Sequence, residues 1–255
     1  MASSGERAAA GAGAAEAGAG APGVGATGTG SRVAGVHSRV DGAKEPAIVR
    51  SMAPSAGGGG AGRLTAKGER TRGRIVAAAA RLMHEGGVAE TTIEDVKAAA
   101  GVSSSQLYHY FADKEALVQA VIGYQADTIV GTTEQAGLGT PEGLRAWRDL
   151  VVTQAARSAG QGGCPLGSLG GQLAETDARA RGQVADGFGR WSEALRSGLR
   201  ELDAAGRLRP GMDPDALAVT LLASLQGGLL LAQVERDPRP LETALDTFLA
   251  LVLTP

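Results

Sequence analysis

Residues 91–117 read TTIEDVKAAAGVSSSQLYHYFADKEAL, and few folds accommodate such a run. Thr92 has the character of a helix N-cap: its hydroxyl can take a free backbone N–H, and Asp95 three residues on favours the positive helix end. Val96 with Ala99 and Ala100 gives a small apolar face, and Gly101 supplies the backbone freedom for a chain reversal. Val102 plugs the turn. Ser103, Ser104 and Ser105 then cap a second helix carrying Gln106, Leu107, Tyr108, His109 and Tyr110. That helix is too short and too polar to be mainly core. The run predicts a helix-turn-helix whose second helix turns hydroxyls, an amide and an imidazole toward phosphates and base edges.

The pattern T-I-x-D-V…A-G-V-S…L-Y-x-Y-F-x-D-K-E-x-L resembles the TetR family of bacterial transcriptional regulators, and the apolar helix GRIVAAAARLMHEGG before it is similar too. The likeness runs from about Lys67 to Tyr124. It implies an all-α protein, with an N-terminal helix-turn-helix head joined to a C-terminal helical bundle for ligand binding and dimerisation. By the same resemblance Ser104, Gln106 and His109 read bases, while Thr92, Ser103, Tyr108, Tyr110 and Lys114 hold phosphates. One departure stands out. Lys97 occupies a position near the helix crossing where the family usually carries alanine; its stem can lie on apolar surface with the charge lifted out, so slightly looser packing is expected.

The residues themselves support a division of labour within the second helix. Leu107 and Phe111, four apart, form the buried stripe, which leaves Ser104, Ser105, Gln106, Tyr108 and His109 outward. Tyr110 points partly inward, with a hydroxyl still able to reach a phosphate. Lys114 sits at a helix start, against the dipole, which suits an ammonium facing DNA; the bland alternative is a solvated lysine.

Charge is distributed unevenly. Between Arg63 and Arg81 the basic residues Arg63, Lys67, Arg70, Arg72, Arg74 and Arg81 are opposed only by Glu69, and no lysine occurs from Val118 onward. A basic edge beside an acidic body suits a polyanion held at one end. The formal net charge of −2 speaks against a protein that coats DNA without regard to sequence. An enzyme finds no support: there is no phosphate loop, no paired carboxylates in a Gly/His setting and no Ser-His-Asp constellation. Three separated histidines and the single Cys164 leave no zinc spacing, and no cofactor is called for. With no disulfide, no secretory leader and no apolar run of spanning length, the expected compartment is the cytoplasm, without a membrane partner.

Residues 1–62 are Gly/Ala-rich and lack periodic bulky residues, so a disordered extension is expected there; a targeting peptide would need a hydrophobic core that is absent. Met52 offers an alternative start. Residues 63–117 form the expected DNA-binding domain and 118–255 the regulatory and dimerisation domain. Helices are expected over about 67–85, from Asp113 to about Val130, from Pro141, over about 177–205, from Asp213-Pro214 to about Ala232, and over 241–252. The stretch GQGGCPLGSLGG, between the helix that Pro141 opens and the one over about 177–205, reads as a Gly-rich break.

LLASLQGGLLLAQV carries too much leucine for a half-exposed helix, and Gly227-Gly228 would let another helix come close. A two-fold seam through Leu221, Leu225, Gly228, Leu229, Leu245 and Phe248 resembles the TetR-family four-helix dimer; a buried central helix of a monomer is the alternative. Trp147, Cys164, Phe188 and Trp191 either belong to plain core or line a cavity for a small, largely apolar or aromatic effector. From about Gly163 to Leu253 the chain weakly resembles the subgroup that controls multidrug efflux. The expected function is therefore a dimeric, ligand-responsive repressor on an inverted-repeat operator of double-stranded DNA. The alternative is an activator or a partner-controlled regulator without a small inducer.

Overall fold

In a computed structural model, residues 64–254 are described, and among them nine α-helices follow one another with only an isolated bridge between Leu208 and Leu253. The expected disordered extension, Met52 and Arg63 lie outside the described residues.

The head is α1 (Ala66–Gly86), α2 (Ile93–Ala100) and α3 (Ser104–Tyr110). Thr65 caps α1 by accepting the Gly68 N–H at 3.2 Å, and the chain leaves it through Gly87, whose φ of 89° few side chains tolerate. Ile75, Ala79 and Met83 are buried along the expected stripe of α1, while Leu82 is half-buried. On α2 the buried pair is Val96 and Ala100; Ala99 is exposed. Lys97 lies half-buried with its ammonium 2.6 Å from Glu94, so the stem packs and the charge finds a partner at the rim.

Asp113 caps α4 (Lys114–Gln135), accepting the Ala116 N–H at 2.7 Å. This helix runs unbroken past residue 117, the expected boundary, and carries Leu117, Val121 and Ala126 from the head into the body. It packs on α1 at one end and along α7 beyond.

The body continues with α5 (Pro141–Arg157), α6 (Pro165–Leu173), α7 (Ala178–Ala204), α8 (Pro214–Glu235) and α9 (Arg239–Val252). Asp177 and Asp213 cap α7 and α8 through backbone N–H groups, and Pro141, Pro165 and Pro214 stand in first turns. The helix α6 corrects the Gly-rich break. Pro165 opens it, Leu166 and Leu169 bury one side, and its glycines admit close neighbours: a Cβ on Gly167 would lie 2.7 Å from the Gln226 amide oxygen, and one on Gly170 3.2 Å from Val184. Those glycines serve helix packing where a turn was expected.

Ion pairs tie the body's ends together. Arg148 of α5, 14% exposed, reaches Glu242 at 2.9 Å and Asp246 at 2.6 Å on α9. Arg209 donates to the carbonyls of Ala250 and Leu253 and so closes the C-terminal end of α9.

Candidate nucleic-acid interface

Two reciprocal caps fix the helix-turn-helix. The Thr92 hydroxyl accepts the Asp95 N–H at 3.1 Å while Asp95 Oδ2 accepts the Thr92 N–H at 3.0 Å; Ser103 and Gln106 repeat the exchange at 3.2 Å and 2.9 Å. Between them Gly101, in the left-handed region at φ 62°, turns the chain. Leu107 is fully buried and Phe111 nearly so, and both anchor α3. The Arg72 guanidinium of α1 lies over the Phe111 ring, 5.2 Å from its centre, holding a basic helix against that anchor.

With that face pinned, Ser104, Ser105, Gln106, Tyr108 and His109 are all exposed, Tyr108 by 54%. Tyr110 is half-buried, its hydroxyl beside Gly68 in the first turn of α1, and its ring meets His109 edge-on at 4.9 Å. Ser103 is committed to capping, with Ser105 Oγ 3.0 Å away.

Two residues assigned to phosphates have other partners. The Thr92 hydroxyl donates to Asp95 at 2.6 Å, and this bond, with the one from the Thr92 N–H, holds the Asp95 carboxyl below its ordinary range. Its proton faces a carboxylate here, so a phosphate contact from the Thr92 hydroxyl would have to replace that bond. Lys114 donates to the Ala89 carbonyl at 3.1 Å, so one of its three N–H groups ties α4 to the turn between α1 and α2.

The family profile described as bacterial regulatory proteins, tetR family, matches residues 75–121, and that of the tetracyclin repressor-like C-terminal domain matches residues 140–248. An uncharacterized helix-turn-helix-type transcriptional regulator of Mycobacterium tuberculosis is 30% identical over 180 residues, 67% of this chain and 88% of the relative. The chain belongs to the TetR family. A TetR transcriptional regulator from Chloroflexus aurantiacus shares its fold at a TM-score of 0.64 and 30% identity, covering 74% of this chain and all of that one. SmeT, the repressor of the Stenotrophomonas maltophilia multidrug efflux pump SmeDEF, has been solved in complex with triclosan; it aligns at a TM-score of 0.57 with 25% identity over 72% of this chain and 92% of its own. This TetR-family protein is thus a transcriptional regulator and no enzyme, and members of the family bind DNA.

In the body of this TetR-family regulator, Trp147 on α5 and Trp191 on α7 are both buried, and half-buried Phe188 stacks on Trp191 at 6.3 Å with planes 10° apart. Among the described residues, the Trp191 indole N–H and the Gln183 amide oxygen on α7 are buried without a hydrogen-bond partner. Cys164 caps α6, accepting the Gly167 N–H at 3.3 Å, and burial pushes its thiol pKa up, which keeps it a neutral thiol. A groove of about 740 Å³ opens elsewhere, between α8 and α9, and none of these four residues lines it.

The seam residues chosen from sequence need correction. Leu221, Leu225, Gly228, Leu245 and Phe248 are buried inside the protomer, and Leu229 is half-buried. A Cβ on Gly228 would lie 2.8 Å from Leu241 Cα, so the helix that comes close there is the chain's own α9. The opposite face of α8 is the open one: Val219, Leu230, Leu231 and Val234 are 50–73% exposed, and nothing lies within 4 Å of a Cβ on Gly227. Apolar on two faces, α8 is long and apolar enough to cross a membrane by length and composition, contrary to the reading of the sequence. Its inner face nevertheless packs on α7 and α9, as a core helix does.

Sequence reasoning also missed Gln172. Its Oε1 accepts the Val88 N–H across 2.7 Å, joining α6 to the turn after α1, and His84 at the end of α1 abuts Gly162 in the loop before α6. No local sequence signal marks such a pair, 84 positions apart.

Proposed function

We propose that this TetR-family regulator is a dimeric, effector-released repressor that acts in the cytoplasm on an inverted-repeat operator. The observation that carries the reading is the exposed polar face of α3, pinned by Leu107 and Phe111 beside a basic α1. One such helix covers a few base pairs, so two half-sites in successive major grooves are needed for useful specificity. The division at residues 63–117 and 118–255 belongs to this proposal, with α4 as the shared strut. Dimerisation through the outer faces of α8 and α9 would cover Leu230, Leu231, Val234 and Leu251, all half or more exposed.

A small, largely apolar or aromatic effector would open the body beside Trp191, Phe188, Trp147 and Cys164. The unpartnered Trp191 N–H supports this place, since a buried donor gains from a ligand acceptor. The triclosan complex of SmeT supports an aromatic effector. Displacing α4 or α6 from α7 would then reach the head through α4 itself and through Gln172. A ligand favouring the released state about 100-fold supplies about 2.7 kcal/mol, enough to empty an operator held near its midpoint.

Footprinting on DNA flanking its own gene tests the reading: two equal protected segments about one helical turn apart are expected. Protection indifferent to sequence would overturn it. Tyr108→Phe removes an outward hydroxyl from each head, so affinity should fall roughly tenfold on operator and random DNA alike, as expected of a phosphate contact. Lys114→Ala should flatten the slope of log K against log salt by about two per dimer. An unchanged slope would take Lys114 off the phosphates.

The Gln172 link has a direct readout. In Gln172→Ala the Val88 N–H loses its acceptor, and its hydrogen exchange should quicken about tenfold, while amides in the middle of α7 stay protected. Equal exchange in both proteins would show that this bond does not hold head to body.

A further inference from the structure

Gln106 is exposed on the face of α3 assigned to DNA, yet its amide is not free to turn. Its Oε1 accepts the Ser103 N–H at 2.9 Å, and its own backbone N–H donates to Ser103 Oγ at 3.2 Å. The side chain is therefore drawn back along the first turn of α3, carbonyl toward the chain. The Nε2 amino group makes no hydrogen bond among the described residues and is the end of the amide left to meet a ligand.

That orientation selects among bases. Glutamine reads adenine by two bonds, its carbonyl accepting from N6 while its amino group donates to N7. Here the carbonyl serves the cap, and turning it to adenine would leave the Ser103 N–H without its partner. An amino group offered alone favours a base edge rich in acceptors. In the major groove guanine presents two adjacent acceptors, O6 and N7, and thymine presents O4. Adenine sets its N6 amino group beside N7 and cytosine presents only an amino group, so a lone donor is opposed at both. We propose that Gln106 is a specificity-determining residue that reads a keto base, guanine or thymine, through Nε2, and rejects adenine and cytosine there. The proposal rests on α3 being the DNA-reading helix.

Two substitutions separate the cap from the readout. Gln106→Glu keeps an acceptor for the Ser103 N–H, as glutamate does in the same capping arrangement, but presents only acceptors outward. Gln106→Ala removes both. The full-length protein and both variants would each select half-sites from a library of inverted repeats randomised in sequence, with helicity checked by circular dichroism. The parent should enrich guanine or thymine at one position per half-site. Gln106→Ala should lose that preference roughly tenfold and at that position alone; Gln106→Glu should turn it toward cytosine or adenine. Adenine enriched by the parent at the position that Gln106→Ala relaxes would overturn the proposal. So would an operator whose every position survives Gln106→Ala, while leaving the operator reading intact. A parent that enriches no sequence would overturn the operator reading and this proposal together.

Discussion

Leu230→Asp combined with Val234→Asp should give a folded protomer that no longer dimerises. Both side chains stand on the outer face of α8, 59% and 73% exposed, so the change removes no contact of the protomer's own core. In a seam between two copies it would bury four carboxylates against apolar surface, and burying unpaired charge costs several kcal/mol per group. Dimer dissociation should rise by a factor of roughly 1000 or more, and operator affinity should fall with it, because specific binding needs two half-sites on one body. Leu225→Asp makes the contrast. Leu225 is 1% exposed within the protomer, so a carboxylate there should unfold the body. Sedimentation velocity, with circular dichroism on both variants, reads the two outcomes apart. A double variant that remains a dimer would place the seam elsewhere.

Leu107→Ala should unfold the head more than any change on the outward face of α3. Its side chain is fully buried and α3 has only seven residues, too few to stand alone. Truncating a buried leucine costs about 2–5 kcal/mol, depending on how far the site collapses. Phe111 anchors α3 beside Leu107 and carries Arg72 over its ring, so if Leu107→Ala shifts Phe111 the basic helix should loosen as well. Urea denaturation followed by circular dichroism should show the head melting early, with operator binding lost at every salt concentration. Ser104→Ala, on the exposed side, should leave the urea midpoint within experimental error. A Leu107→Ala protein as stable as its parent would mean that α3 docks by other residues.

Much of the head was legible because its signals are local. Thr92 with Asp95 and Ser103 with Gln106 each complete a cap within three residues, and Gly101 sits at the left-handed turn between them. The four-residue step from Leu107 to Phe111 fixed which side of α3 turns inward, hence which side chains remain for DNA. What the local pattern could not show is where a polar group spends its hydrogen bonds. Resemblance assigns Thr92 and Lys114 to phosphates, yet the Asp95 carboxylate and the Ala89 carbonyl each already take one of their hydrogen bonds. Gln106 shows the same limit in a productive form, its carbonyl being used by the cap and its amino group left over.

In the body, helical periodicity found α5, α7, α8 and α9, and failed at α6 because glycine reads as a breaker. Gly167 and Gly170 are tolerated because Gln226 and Val184 fill the space a side chain would take. The sequence alone determined that the described residues are helical, that they carry a helix-turn-helix, and that α8 is apolar beyond what one buried face needs. Which face of α8 turns inward was decided only by tertiary packing. Leu221 and Leu225 on one side and Leu230, Leu231 and Val234 on the other are comparably apolar, so transfer free energy does not separate them. The distinction is steric: Gly228 lets α9 approach to the backbone at Leu241, and that close fit commits the Leu225 side to the core and leaves the Leu230 side open.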